Sequence, residues 1–110
     1  MRRAQILYKD MVAGILTETD DGLYTFQYNE NYIVSHPKQF ITFSMPVNAT
    51  TYTDNRLFPF FEGLIPEGWL LNIGTKNWKI NQNDRMGLLL AFCRNCIGAV
   101  SVEPITENHE

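Results

Sequence analysis

Cys93-Arg94-Asn95-Cys96 holds the pair of side chains with the most evident chemical potential, two thiols at Cys-x-x-Cys spacing. That spacing serves zinc sites and redox pairs. Zinc needs further ligands, and no second pair stands elsewhere in the chain. The redox reading fails on position. The residues before Cys93 read as a helix, so Cys93 falls at the helix C-terminus, where the dipole opposes a thiolate. The two thiols therefore read as packing residues. His36 and His109 are the only histidines. His36 lies in a loop beside Pro37, and His109 lies in the tail. Neither has a Cys, Ser or carboxylate partner at a spacing that suggests a catalytic pair. A glycine-rich phosphate cradle is missing. So are a catalytic-loop Asp with its Asn and a metal-binding Asp-Phe-Gly. The chain reads as non-catalytic, without a cofactor or metal site.

Composition narrows the class. At 110 residues one domain is expected, large enough for a core without disulfides or metals. Hydrophobic residues at 45% and charged residues at 19% are ordinary globular values, so the chain is not a disordered one. A net charge of −3 argues against direct nucleic-acid binding through phosphates. Lys76, Lys79, Arg85 and Arg94 cluster in sequence but read as a solvated helical face. No apolar run is long enough to cross a membrane, and no signal peptide is visible. Cysteine usage without a signal peptide points to the reducing cytoplasm.

The elements can be taken in order. Residues 4–9 read as a first strand, and Lys9-Asp10 as a tight turn. Met11 to Thr19 reads as a second strand, with Gly14 at a bulge or a close backbone approach. Asp20-Asp21-Gly22 is the strongest hairpin signal in the chain. Leu23 to Tyr28 forms the third strand, with Tyr24, Phe26 and Tyr28 on one face. Asn29 caps a helical turn through Val34. Phe40 to Met45 reads as extended, and 48–55 as loop.

The chain is organised around Leu57 to Trp69. Leu57, Phe58, Phe60, Phe61, Leu64 and Ile65 make an apolar helical stripe. At roughly 2 kcal/mol per buried large side chain it contributes about 10 kcal/mol of gross burial, opposed by chain entropy. Asp54 or Asn55 is the expected cap, Pro59 belongs in the first turn, and Pro66 ends the helix. The turn Pro66-Glu67-Gly68 then brings Trp69 to the domain edge. Tryptophan is a favoured interface anchor, so Pro66, Glu67, Gly68 and Trp69 are the candidate partner-binding residues. Trp69 to Lys79 reads as a weaker helix. Asn83 or Asp84 caps a further helix with Met86, Leu89, Leu90 and Cys93 on one side. Ile97 to Val102 closes the domain, Pro104 ends the strand, and 106–110 form a frayed polar tail. The expected fold is α+β: a small, mostly antiparallel sheet over residues 1–105 with about three helices on one face.

Three stretches together resemble the N-terminal subdomain of HipA-family Ser/Thr kinases, the toxins of bacterial toxin–antitoxin systems. Val12-Ala13-Gly14-Ile15-Leu16 and Tyr24-Thr25-Phe26-Gln27-Tyr28 are similar to that family's opening strands. Phe43-Ser44-Met45-Pro46-Val47 and Phe60-Phe61-Glu62-Gly63-Leu64-Ile65-Pro66-Glu67-Gly68 resemble its Ser-Leu-Pro-Leu and Phe-Phe-x-Asn-Leu-Leu-Pro-Glu-Gly. In Leu89-Leu90-Ala91-Phe92-Cys93-Arg94-Asn95-Cys96-Ile97-Gly98-Ala99-Val100, the part from Cys93 on resembles its Gly-x-Asp-Cys-x-Gly-Ala-Val, which a Leu-Leu-Ala stretch likewise precedes. Cys93, Asn95 and Gly63 depart from the pattern, which keeps Cys96 and leaves Cys93 as an addition.

In the kinases an ATP-binding core follows this subdomain, whereas here the sequence ends soon after Val100. The resemblance implies the split form of the family. There a HipS-like small protein is encoded beside a HipT-like shortened kinase and a HipB-like DNA-binding protein. It implies an antitoxin that docks on and silences a HipA-like Ser/Thr kinase, or else an accessory subunit that completes one.

Overall fold

The computed structural model describes residues 1–65, 84–92 and 99–105. The sheet is antiparallel throughout and ordered β4-β3-β2-β1-β5. It comprises β1 (Arg2–Tyr8), β2 (Met11–Glu18), β3 (Tyr24–Tyr28), β4 (Tyr52–Asp54) and β5 (Val100–Ile105). Three helices lie among the described residues: α1 (Glu30–Ser35), α2 (Pro59–Glu62) and α3 (Arg85–Phe92). The fold is α+β, as expected.

Local chemistry explains the hairpins. Lys9 and Asp10 both take positive φ, 51° and 69°, the backbone a tight two-residue turn needs to follow strand twist. Gly22 supplies the positive φ of the second turn, at 86°. Across β1 and β2, Ile6 pairs with Gly14 and Leu7 with Val12, so Ala13 is an extra residue and forms a bulge. The bulge resets the alternation, and Ala13, Gly14 and Leu16 are all buried. Gly14 is also where another backbone comes near: a Cβ there would lie 2.4 Å from the Gln27 carbonyl oxygen.

Ala4, Ile6, Leu16, Phe26, Tyr28 and Val102 line the inner face and join the helices in one buried cluster. Asn29 caps α1, its side chain accepting from the Asn31 amide at 3.0 Å. Phe61 on α2 is fully buried and meets Phe26 at 5.9 Å between ring centres. Leu57, Phe58 and Ile65 are buried with it, while Phe60 and Leu64 are partly buried against the cluster. The apolar stripe is thus a core element. Its regular helix is shorter than expected and runs only through Glu62. Tighter bonds, from Leu64 N–H to Phe61 and from Ile65 N–H to Glu62, continue the turn.

Several expectations are corrected. Phe40 to Met45 is a run of bends and turns, not a strand. Alternation would set Ile41, Phe43 and Met45 on one face. A turn closed by Met45 N–H on the Thr42 carbonyl, at 3.1 Å, buries Ile41 and Met45 and turns Phe43 outward. Within 48–55, Tyr52 to Asp54 form β4 rather than loop, pairing Phe26 with Tyr52 and Tyr24 with Asp54. With Asp54 in a strand, neither it nor Asn55 caps α2. Phe58 holds that position without a side-chain bond, and Pro59 begins the helix. Pro104 does not end β5, which runs on to Ile105. An edge strand tolerates a missing N–H, and β5 is an edge. The third strand begins at Tyr24 rather than Leu23, and the first at Arg2. The polar tail 106–110 lies outside the described residues.

Candidate interaction site

Register brings Arg2, Glu18 and Tyr24 into one cross-strand row. Arg2 Nε donates to Glu18 Oε1 at 2.6 Å, and the Tyr24 hydroxyl donates to Glu18 Oε2 at 2.9 Å. The remaining guanidinium nitrogens, Nη1 and Nη2, grip Asp84 at 3.0 and 2.6 Å. Asp84 Oδ1 also accepts from the Gly87 amide at 3.1 Å, capping α3 as the sequence suggested. Hydrogen bonding from Arg2, aided by the Gly87 amide, holds the Asp84 carboxyl below the usual carboxylate range. Its partners Asp84 and Glu18 raise the Arg2 guanidinium further above its already high value. Burial, then Glu18, pushes the Tyr24 hydroxyl up to about 12.

A second pair joins the two later helices. Arg85 Nη2 donates to Glu62 Oε1 at 3.0 Å, and Nε reaches both oxygens at 3.1–3.2 Å. These carboxylates are occupied by guanidinium groups, an arrangement suited to joining elements and not to general acid–base work.

The candidate partner-binding residues Pro66, Glu67, Gly68 and Trp69 lie outside the described residues. The same holds for Lys76, Lys79, Cys93, Arg94 and Cys96. What the structure places is the frame at either end of that stretch: Ile65, buried in the core, and the Asp84–Arg85 anchor held by Arg2 and Glu62.

His36 is a packing residue of the α1 region. Its ring stacks on Tyr32 at 5.0 Å, and Tyr32 stacks on Tyr28 at 5.9 Å. The His36 Nδ1 is buried and makes no hydrogen bond, so it lacks the orienting partner of a catalytic histidine. With Met11, Val12, Asn31, Tyr32 and Ser35 it lines an open hollow of about 160 Å³. Among the described residues no group of His, Cys, Asp and Glu is arranged to hold a metal. No described helix is long and apolar enough to cross a membrane.

One surface feature escaped the sequence reading. Phe43 is 87% exposed, and its ring sits 5.0 Å from that of Phe40. Tyrosines pin the loop that carries them. The Tyr28 hydroxyl donates to the Met45 carbonyl and accepts from the Ile41 amide, Tyr32 holds the Gln39 carbonyl, and Tyr52 holds that of Pro46. Local spacing gave no signal for it, since Ile41, Phe43 and Met45 alternate as they would on one face of a strand.

Comparison with known proteins defines the class. Residues 4–103 match the HipA N-terminal domain family, and the chain belongs to that family. An uncharacterised protein of Haemophilus influenzae is 32% identical over 97 residues, covering 88% of this chain and 86% of that protein. Among solved structures, an N-terminal domain of HipA toxin superposes with a TM-score of 0.73 at 23% identity. That match covers 98% of this chain and 96% of the solved one, and it shows a shared fold.

Proposed function

We propose that this protein is a non-catalytic antitoxin that binds and inhibits a cognate HipA-type Ser/Thr kinase. The observation that carries this reading is the family match over 4–103, which is to the N-terminal domain of HipA and not to its kinase domain. The sequence itself offers no phosphate cradle, metal-binding Asp-Phe-Gly or catalytic-loop Asp. The role we assign to the chain is therefore binding. In this reading it is the HipS-like member of a split system. It works in the cytoplasm beside a HipT-like kinase, and a HipB-like DNA-binding protein joins the complex. The contact runs through the Pro66-Glu67-Gly68 turn and Trp69, an aromatic suited to obstruct a cleft.

A second reading, an accessory subunit that completes a split kinase, is favoured by the same family membership. Co-expression with a cognate HipA-type kinase separates the two. Restored growth supports the antitoxin, and greater toxicity supports the activator. Unchanged toxicity together with no binding between the purified proteins overturns both.

A further inference from the structure

We propose that the loop bearing Phe40 and Phe43 is a second docking surface, seated on an apolar site of the catalytic body of a HipA-type kinase. This rests on the kinase-binding reading above, but on residues separate from Trp69.

The first argument is presentation. A large aromatic left wet gains most when a partner covers it, because it brings much apolar area and few torsions to order. Phe43 is 87% exposed on a backbone whose neighbours Ile41 and Met45 are buried. The hydroxyls of Tyr28 and Tyr32 hold the same loop from beneath, and the Phe40 ring supports Phe43 from the side at 5.0 Å. An aromatic preorganised in this way loses little freedom on binding.

The second argument is charge. The chain carries 12 acidic residues, yet none falls between Glu30 and Asp54, where Lys38 is the only Asp, Glu, Lys or Arg. Depletion of charge around an aromatic is the composition of an interface core. The complementary surface is an apolar pocket for Phe43 with a neutral or acidic rim near Lys38.

The third argument names the occupant. The family is by description the N-terminal domain of HipA, and the chain spans 96% of such a domain in a solved structure. The body that such a domain adjoins is the remainder of a HipA-type protein.

The test uses the whole chain and a purified cognate HipA-type kinase. Affinities and melting curves are measured for the wild type, Phe43→Ser, Phe43→Tyr and Trp69→Ala. Phe43→Ser should melt like the wild type and bind the kinase about tenfold or more weakly, while Phe43→Tyr keeps most of the affinity. If the wild type binds and Phe43→Ser binds equally well, this surface is wrong and the kinase reading stands. A wild-type self-association that Phe43→Ser abolishes, seen by sedimentation, assigns the loop to a second copy and overturns the proposal. No kinase binding by the wild type overturns the functional reading, and this surface with it.

Discussion

Arg2 and Asp84, separated by 82 positions in sequence, are joined by two hydrogen bonds of 2.6 and 3.0 Å that fasten the first strand to the start of the last helix. The same Asp84 caps that helix through the Gly87 amide. One carboxylate thus serves two elements, and two predictions follow from it.

Asp84→Ala removes the cap and the ion pair together. Both partners are about a third exposed, so solvent screening holds the ion pair to well under its buried value. A loss of about 1–3 kcal/mol is expected, most of it from the cap. Asp84→Asn keeps a capping oxygen and should lose less. Denaturant titration of both variants checks the ranking, and equal losses would assign the stability to the ion pair.

The pH dependence has a definite sign. Asp84 is more acidic in the folded protein than in the unfolded chain, where a carboxyl of this type titrates near pH 4. Its contribution is therefore fully present above about pH 4 and is lost as pH falls below that value toward the folded pKa. The stability gap between wild type and Asp84→Asn should stay level from pH 7 to about 5 and narrow below about 4. A gap that keeps its full width at pH 3 would show that the group does not titrate this way.

Phe61→Ala empties the centre of the aromatic cluster, where Phe26, Phe58 and Phe60 all pack on the Phe61 ring. A loss of about 3–5 kcal/mol is expected, enough to unfold or aggregate a small domain. An unchanged melting temperature would mean that α2 is not central to the core.

Two backbone substitutions should move in opposite directions. Gly14→Ala sets a methyl 2.4 Å from the Gln27 carbonyl and 2.8 Å from the Phe26 ring, so β2 or β3 must shift, at a cost of about 1–3 kcal/mol. Replacing Lys9-Asp10 with Asn-Gly relieves two left-handed non-glycine residues and should raise stability by about 1 kcal/mol. Thermal melts of the two variants read both effects.

Trp69→Ala tests the proposed contact. The variant should fold normally and bind the kinase about 30- to 1000-fold more weakly, or about 2–4 kcal/mol. Glu67→Ala should matter less, as a rim charge. A collapsed melt with unchanged affinity per folded molecule would make Trp69 a core residue.

Patterns with a short physical range were legible in the sequence. The Lys9-Asp10 and Asp20-Asp21-Gly22 turns, the Asn29 and Asp84 caps, and the inward face of Phe26 and Tyr28 each depend on residues within one turn or one strand. The stripe from Leu57 to Ile65 was legible as core because so much apolar surface must be covered. The family pattern was legible too, since its motifs hold their order across the chain.

Only the tertiary structure decided what depends on a distant partner. Tyr52 to Asp54 are a strand because β3 offers an open edge, and Pro104 stays in β5 because that edge needs no donor. Phe40 to Met45 are not a strand: the Tyr28 hydroxyl takes up the Ile41 amide and the Met45 carbonyl, and Tyr32 holds the Gln39 carbonyl just before them. The exposure of Phe43 and the grip of Arg2 on Asp84 have the same origin. Each is set by contacts between elements far apart in the chain, and no local spacing encodes them.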